Sequence, residues 1–280
     1  MSDEMMRQIR QRLESLRRAG IERIPSPPPQ RVIERSVRTD LAEPPAIAGP
    51  PIPRPSPVAP TSPAPVMLST PLFGEPDIGG TEVPAEHRPD LLAALASEVA
   101  ECSRCPMLVA SRSRTVFGEG SPTARLMFIG EAPGAEEDRT GRPFVGKAGI
   151  LLTDMITKGM GLAREDVFIA NVVKSRPPEN RNPTPEEIAN CLPYLERQIA
   201  IIRPQFLCVL GKIAASTLLQ TALPMNRLRG KWHSYGGIPT IVTWHPAYVL
   251  RTPSAKKETW EDLQMLMKRM GLKVPEKRPG

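Results

Sequence analysis

No apolar run in this sequence reaches the length of a transmembrane helix, and its first residues lack the uninterrupted apolar stretch of a secretory signal. These absences lead us to expect a cytoplasmic protein with no membrane partner. Neither a GxGxxG motif nor a complete P-loop motif occurs, which weakens a nucleotide-cofactor reading. Cysteine is scarce, with four in 280 residues, and there are three histidines. Aromatics are 4% of the chain and nearly absent between residues 25 and 89, where apolar residues follow no period. More than half of the 34 prolines lie before Asp90. Such a segment cannot bury enough surface to offset its ordering entropy, so residues 25–89 read as a disordered, partly polyproline linker.

Ahead of the linker, Met5, Ile9, Leu13 and Leu16 recur at near-helical spacing among Arg7, Arg10, Arg12, Arg17 and Arg18. Residues 1–24 read as a basic amphipathic helix or tail, suited to touch nucleic acid, a surface or a partner, or as a marginal helix without a role.

The folded part is expected over residues 90–272, the size of one domain, with a short tail at 273–280. Asp90 is placed to cap a helix carrying Leu91, Leu92, Leu95 and Val99. Strand composition marks Arg125–Ile129, Val167–Val173, Gln205–Leu210 and Pro239–Thr243. Thr184-Pro185-Glu186-Glu187 has the form of a capping box with proline at the first helical position. It opens a helix with Ile188, Leu192, Leu195, Ile199 and Ile202 on one face and Pro193 as an expected kink. Lys212–Gln220 reads as a short helix, and Trp260, Leu263, Met267 and Met270 line a last one. Strand and helix alternate, which predicts an α/β fold: a three-layer α/β/α sandwich around a central, mostly parallel, four-stranded sheet.

Open α/β sheets bind ligands outside the carboxyl ends of their strands. After the first strand comes Ile129 to Gly149, with five glycines, the acids Glu131, Glu136, Glu137 and Asp138, and one aromatic, Phe144. Four acids argue against a simple phosphate cradle; the plain alternative is a solvated turn. At the end of the second strand stands Asn171, followed by Lys174 to Arg181. Gly211 and Lys212 follow the third. Trp244-His245-Pro246 and the residues to Arg251 follow the fourth. An acid, an amide and an imidazole thus converge on one edge, which points to a site.

Cys102-x-x-Cys105 follows a predicted helix rather than opening one after a strand, unlike a thioredoxin-like pair. A metal or cluster site, a redox pair and inert thiols all remain open on spacing alone. Cys191 borders an apolar helix stripe, and Cys208 lies inside a strand, where a free cysteine is most often a small hydrophobe. The formal charge is +7. Lys174, Arg176, Arg181, Arg227, Arg229, Lys231 and Arg251 cluster around the expected site, and Asn226 to Trp232 reads as a basic loop with an aromatic. A polyanion is the natural partner; an ordinary basic surface is the alternative.

The early CxxC, GEAPG with EED and GRPFVGKAG, NVVKSRPPENRNPTPEE, LRGKW and HPAYVLR stand in that order between about Glu98 and Met270. Together they resemble the type-4 uracil-DNA glycosylases, within the uracil-DNA glycosylase superfamily; the proline-rich front lies outside the pattern. The resemblance implies a monofunctional, monomeric enzyme of base excision repair that hydrolyses the N-glycosidic bond of uracil in DNA. It implies Glu131 and Ala132 beside the sugar, Phe144 stacked on the flipped base, Asn171 on its Watson–Crick edge and His245 against O2. Some superfamily branches orient the attacking water with an Asp where this chain has Ala132; as in type 4, the task passes to another group, Glu131 first, Glu137 or Asn180 next. Arg227, Arg229, Lys231 and Arg251 are the expected DNA contacts, and the N-terminal tail suits a repair partner.

The resemblance also implies a 4Fe–4S cluster on four cysteines. Cys102, Cys105 and Cys191 match three of them, and Ser175 stands at the remaining position. Ser175 or another ligand completes the set, or the cluster is labile or absent; we expect an oxygen-sensitive cluster with a mainly structural role. Two rival readings are a non-catalytic module of the same fold that binds DNA or uracil, and a cluster- or redox-sensing protein.

Overall fold

The structure, a computed structural model, describes residues 83–275. The expected basic tail, nearly all of the linker and residues 276–280 lie outside the described residues.

Six strands form one sheet: β1 (Glu119–Gly120), β2 (Leu126–Gly130), β3 (Phe168–Asn171), β4 (Phe206–Leu210), β5 (Trp232–Tyr235) and β6 (Ile238–Thr243), in the order β1-β3-β2-β4-β6-β5. The four expected strands are the parallel centre, β3-β2-β4-β6. The expected count of four is corrected by two antiparallel edges, β1 on β3 and β5 on β6. β1 is two residues long, too short to carry a periodic signal. β5 begins at Trp232, the last residue of the stretch read as a basic loop, and the signal that marks it is Gly236-Gly237. Both glycines have positive φ, 53° and 79°, as a two-residue hairpin between twisted strands requires.

The pleat sends alternate residues to two cores. Met127, Ile129, Leu207 and Val209 pack on one face against α5 (Pro185–Ile202) and α6 (Lys212–Leu218). Leu126, Phe128, Cys208 and Ile241 pack on the other against α4 (Lys147–Asp154) and α9 (Ala255–Met270). Central strands buried on both faces need apolar residues throughout, and β2, β3 and β4 are buried at every position. The remaining helices are α1 (Arg88–Ala100), α2 (Pro106–Ser111), α3 (Ala135–Thr140), α7 (Met225–Leu228) and α8 (Pro246–Arg251).

α1 buries Leu92, Leu95 and Val99 and leaves Leu91 exposed. Its start corrects the expected cap: His87 is the N-cap, and Asp90 sits inside the first turn, where its negative charge complements the positive end of the helix dipole. Arg88 Nη1 donates to the carbonyl of Ile202 at the C-terminal end of α5, so the folded part begins before Asp90. The capping box at Thr184 forms as read. Glu187 N donates to Thr184 Oγ1, Thr184 N donates to Glu187 Oε2, and Pro185 is the first helical residue. Pro193 is exposed, and α5 runs through it to Ile202 as one element.

One buried carboxylate ties β6, α9 and the loop before β5. Asp262, 0% exposed, accepts from Thr243 Oγ1 at 2.8 Å, from Gly230 N at 3.0 Å, and from Arg229 Nε and Nη2, each at 3.1 Å. Asp262→Ala leaves the Arg229 guanidinium without its buried partner and is expected to cost about 3–5 kcal/mol, measured as a lowered midpoint in urea unfolding with an unchanged slope.

Candidate active site

The connection after β2 leads to β3 on one side, and the connection after β4 leads to β6 on the other. The sheet therefore has a switch point at the carboxyl ends of β2 and β4, where a crevice opens. A cavity of about 460 Å³ lies there, lined by Glu131, Ala132, Gly134, Glu137, Phe144, Asn171, Asn180, His245, Tyr248 and Arg251, among others. The acid, the amide and the imidazole expected at three strand ends thus share one cavity.

Register sets the first contact. Gly130 ends β2 directly opposite Asn171, the last residue of β3. A Cβ at Gly130 would stand 2.4 Å from Asn171 Oδ1 and 2.6 Å from Phe144 Cζ, so amide and ring close over bare backbone. Phe144 is itself held at φ 50°, a left-handed conformation costly for an aromatic residue. Gly149 makes room for it, since a Cβ there would lie 1.9 Å from the carbonyl carbon of Phe144. The ring centroid lies 5.6 Å from that of His245.

Glu137 holds this loop in shape. Its Oε1 accepts from Val145 N and Gly146 N, both at 2.9 Å, and its Oε2 accepts from Gly134 N at 3.1 Å. These bonds stitch the turn after β2 to the backbone just beyond Phe144, offsetting the strain there. Beside it, Asp138 is buried and accepts from Ser113 N at 2.9 Å and 3.0 Å.

Three polar groups face the cavity in distinct states. Asn171 is 2% exposed, and its Oδ1 is, among the described residues, the one buried side-chain oxygen or nitrogen with no hydrogen-bond partner. An unpaired acceptor buried in a native fold costs free energy unless a ligand supplies the donor. Burial pushes the Glu131 carboxyl above the usual carboxylate range. Burial, and next the Arg251 guanidinium, push His245 down to about 4, with Glu137 pulling the other way. Ala247 N donates to His245 Nδ1 at 3.2 Å. A backbone amide has only a proton to give, so Nδ1 is the acceptor and the neutral ring carries its proton on Nε2.

The rim corrects several sequence-level expectations. Arg229, expected to contact DNA, turns inward: its side chain is 15% exposed and bound to Asp262. Lys174, counted among the surface cations, is 1% exposed, and burial pushes its ammonium down to about 7. Lys174 Nζ donates to Asn171 O at 2.7 Å and to Gln198 Oε1 at 2.6 Å. Asn180 is exposed on the cavity rim, its amide oxygen accepting from Arg176 Nε at 2.8 Å. Arg227, Lys231 and Arg251 are exposed. Tyr248, given no role from sequence, lines the cavity and stacks on Trp244 with centroids 4.5 Å apart. Trp244 and Tyr248, an aromatic pair on either side of His245, were the available signal.

The cysteines meet elsewhere. Cys102, Cys105, Cys191 and Ser175 line one small cavity together with Arg112, Lys174, Asn190 and Tyr194. Burial pushes the Cys105 and Cys191 thiols up. Ser175 Oγ is engaged by Arg112, so the donor set fits three corners of a cubane cluster and does not fit the fourth. Cys208 is fully buried in β4, away from this cavity.

A sequence model described as the uracil DNA glycosylase superfamily matches residues 117–264. The type-4 uracil-DNA glycosylase of Thermotoga maritima is 45% identical over 169 residues, covering 60% of this chain and 87% of its own. That of Saccharolobus solfataricus is 44% identical over 192 residues, covering 66% and 88%. A type-5 uracil-DNA glycosylase from Thermus thermophilus is 33% identical over 156 residues, covering 45% and 71%. With its sheet, its strand-end residues and these likenesses in agreement, the chain belongs to the uracil-DNA glycosylase superfamily and is more similar to these type-4 members than to the type-5 one.

Proposed function

We propose that this chain removes uracil from DNA by hydrolysing its N-glycosidic bond, leaving an abasic site for base excision repair. The observation that carries the reading is the unpartnered, buried Oδ1 of Asn171 beside the Phe144 ring. Uracil offers a donor at N3 and an acceptor at O4. A carboxamide answers both, Oδ1 taking the N3 proton and the amide nitrogen donating to O4. Cytosine presents the reverse pattern and would leave both buried groups unmatched, a larger penalty than any lost apolar contact. Phe144 supplies the surface on which an extruded base stacks.

The leaving base departs as an anion whose charge develops at O2. His245 donates Nε2–H to that oxygen as a neutral group, with its tautomer set by Ala247 N. Across the ring the sugar becomes oxocarbenium-like. Glu131, half-buried at the end of β2, is the carboxylate assigned to that charge and to the attacking water. Glu137 is assigned to loop shape, because both its oxygens already accept backbone N–H groups. Asn180 stands at the rim as a secondary candidate for positioning the water. No lyase step is assigned. Arg227, Lys231 and Arg251 are the proposed phosphate contacts, and residues 1–24 the proposed region for a repair partner.

Asn171→Asp replaces the O4 donor by a carboxylate. It is expected to lower kcat/KM on uracil at least ~100-fold and to erode the preference over cytosine, scored by abasic-site formation on matched oligonucleotides. An unchanged preference would remove Asn171 from the pocket.

The acid limb of kcat/KM is expected to belong to Glu131. Its raised pKa means that protons bind as the pH falls through a point above the ordinary glutamate value, while His245 stays neutral down to about 4. Glu131→Gln should cost about 100-fold in kcat and flatten that limb, and His245→Gln should keep it. A limb near the ordinary histidine value that vanishes in His245→Gln would reverse the assignment.

DNA affinity should fall steeply with salt. Arg227→Ala is expected to reduce the slope of log K against log salt by about 0.9. Arg229→Ala should leave the slope alone and lower stability instead.

A further inference from the structure

Cys102, Cys105 and Cys191 surround a cavity whose remaining corner is Ser175, and that corner is already engaged. Ser175 is 3% exposed, and its Oγ accepts from Arg112 Nη1 at 3.0 Å. Nη2 of the same guanidinium donates to the carbonyl of Cys102 at 2.7 Å. The guanidinium is therefore fixed at two points, between the CxxC segment and the loop after Asn171. An iron bound to Ser175 would need a deprotonated oxygen from a weakly acidic hydroxyl, a hard ligand ill matched to iron in a sulfur cage.

The other three corners are thiols. A structural zinc ion draws four ligands to within ~2.3 Å of one centre. Of such ligands, only the three cysteines line this cavity. In a cluster each thiolate binds a different iron, so the sulfurs stand farther apart than around one ion. Three thiolates with an occluded fourth corner match a cubane that lacks one iron.

We propose that this chain carries a three-iron, four-sulfide cluster, one iron on each of Cys102, Cys105 and Cys191, with the Arg112–Ser175 pair closing the corner of the fourth iron. Arg112 then ties the CxxC segment to the loop after Asn171, the link that a fourth iron–thiolate bond would otherwise make. The inference rests on a cluster site of the kind implied by the likeness to type-4 enzymes, and it concerns the cofactor, not the excision reaction.

The test uses the full chain purified anaerobically, before and after incubation with excess ferrous iron and sulfide. The expected result is about three irons and four sulfides per chain, with a half-integer-spin EPR signal in the oxidised protein that persists after incubation. Ser175→Cys, which supplies the missing thiolate, should raise iron to about four and abolish that signal, because an oxidised four-iron cubane is EPR-silent in its resting state. Four irons and no signal in the wild-type protein would overturn the proposal. Zinc in place of iron, or neither metal, would overturn it equally. So would a Ser175→Cys protein that still holds three irons. Uracil excision measured on the same preparations separates the two readings: retained excision with the wrong metal content defeats only the cluster, and lost excision with three irons defeats only the proposed function.

Discussion

The pairing of Gly130 with Asn171 at the ends of β2 and β3 is the constraint on which the site depends. Parallel pairing fixes the two backbones side by side, and a glycine there lets amide and aromatic ring approach to distances that a single methyl group would forbid. Everything else in the cavity follows from that closeness. Phe144 must take a left-handed backbone to reach it, Gly149 must yield space behind it, and Glu137 must hold the strained loop with three backbone hydrogen bonds. A carboxylate that binds three amides is a rigid part, and rigidity is what an amide reading donors against acceptors needs. In the proposed pocket, free rotation of Asn171 would let it accept either base.

A second set of bonds joins the cysteine cavity to this one. Arg112 grips Cys102 O and Ser175, Ser113 N grips Asp138 next to Glu137, and Val116 N donates to Lys174 O at 2.7 Å. Gln198 Nε2 donates to Phe117 O at 2.9 Å while its oxygen accepts from Lys174 Nζ, which also holds the carbonyl of Asn171. The strap from Arg112 to Phe117 thus carries hydrogen bonds to the cysteine-bearing segment and, through Gln198 and Lys174, is linked to the backbone of Asn171. A buried lysine is tolerable at this junction because two acceptors take its protons.

Much of the site was legible because strand ends are legible. Central strands of a parallel sheet need long apolar runs, so β2, β3, β4 and β6 announced themselves, and the residues just beyond them were candidates by topology. Glu131, Asn171 and His245 were found in that way, and Phe144 because it is the sole aromatic in its glycine-rich turn. The thiol set was legible from the CxxC spacing together with the likeness. β1 and β5 were not, since two residues carry no period and an edge strand needs few apolar positions. The inward turn of Arg229 was equally hidden: LRGKW shows a basic loop, and nothing local says that Asp262, thirty-three residues on, is buried beneath it.

The sequence by itself determined the order of the four central strands and the main helices and the residues at the strand ends, because these depend on composition and local period; Ser175 in place of a fourth thiol was legible only through the likeness. Only the tertiary structure decided which polar groups were spent and which were free. Glu137 and Glu131 are indistinguishable as letters, yet one has its oxygens filled by backbone amides and the other is half-buried in the cavity wall. Lys174 and Arg251 carry the same formal charge, yet one is sealed inside and the other exposed at the cavity. Protonation state, tautomer and hydrogen-bond vacancy are properties of the neighbours that packing assembles from distant segments, as His245 and Asn171 show.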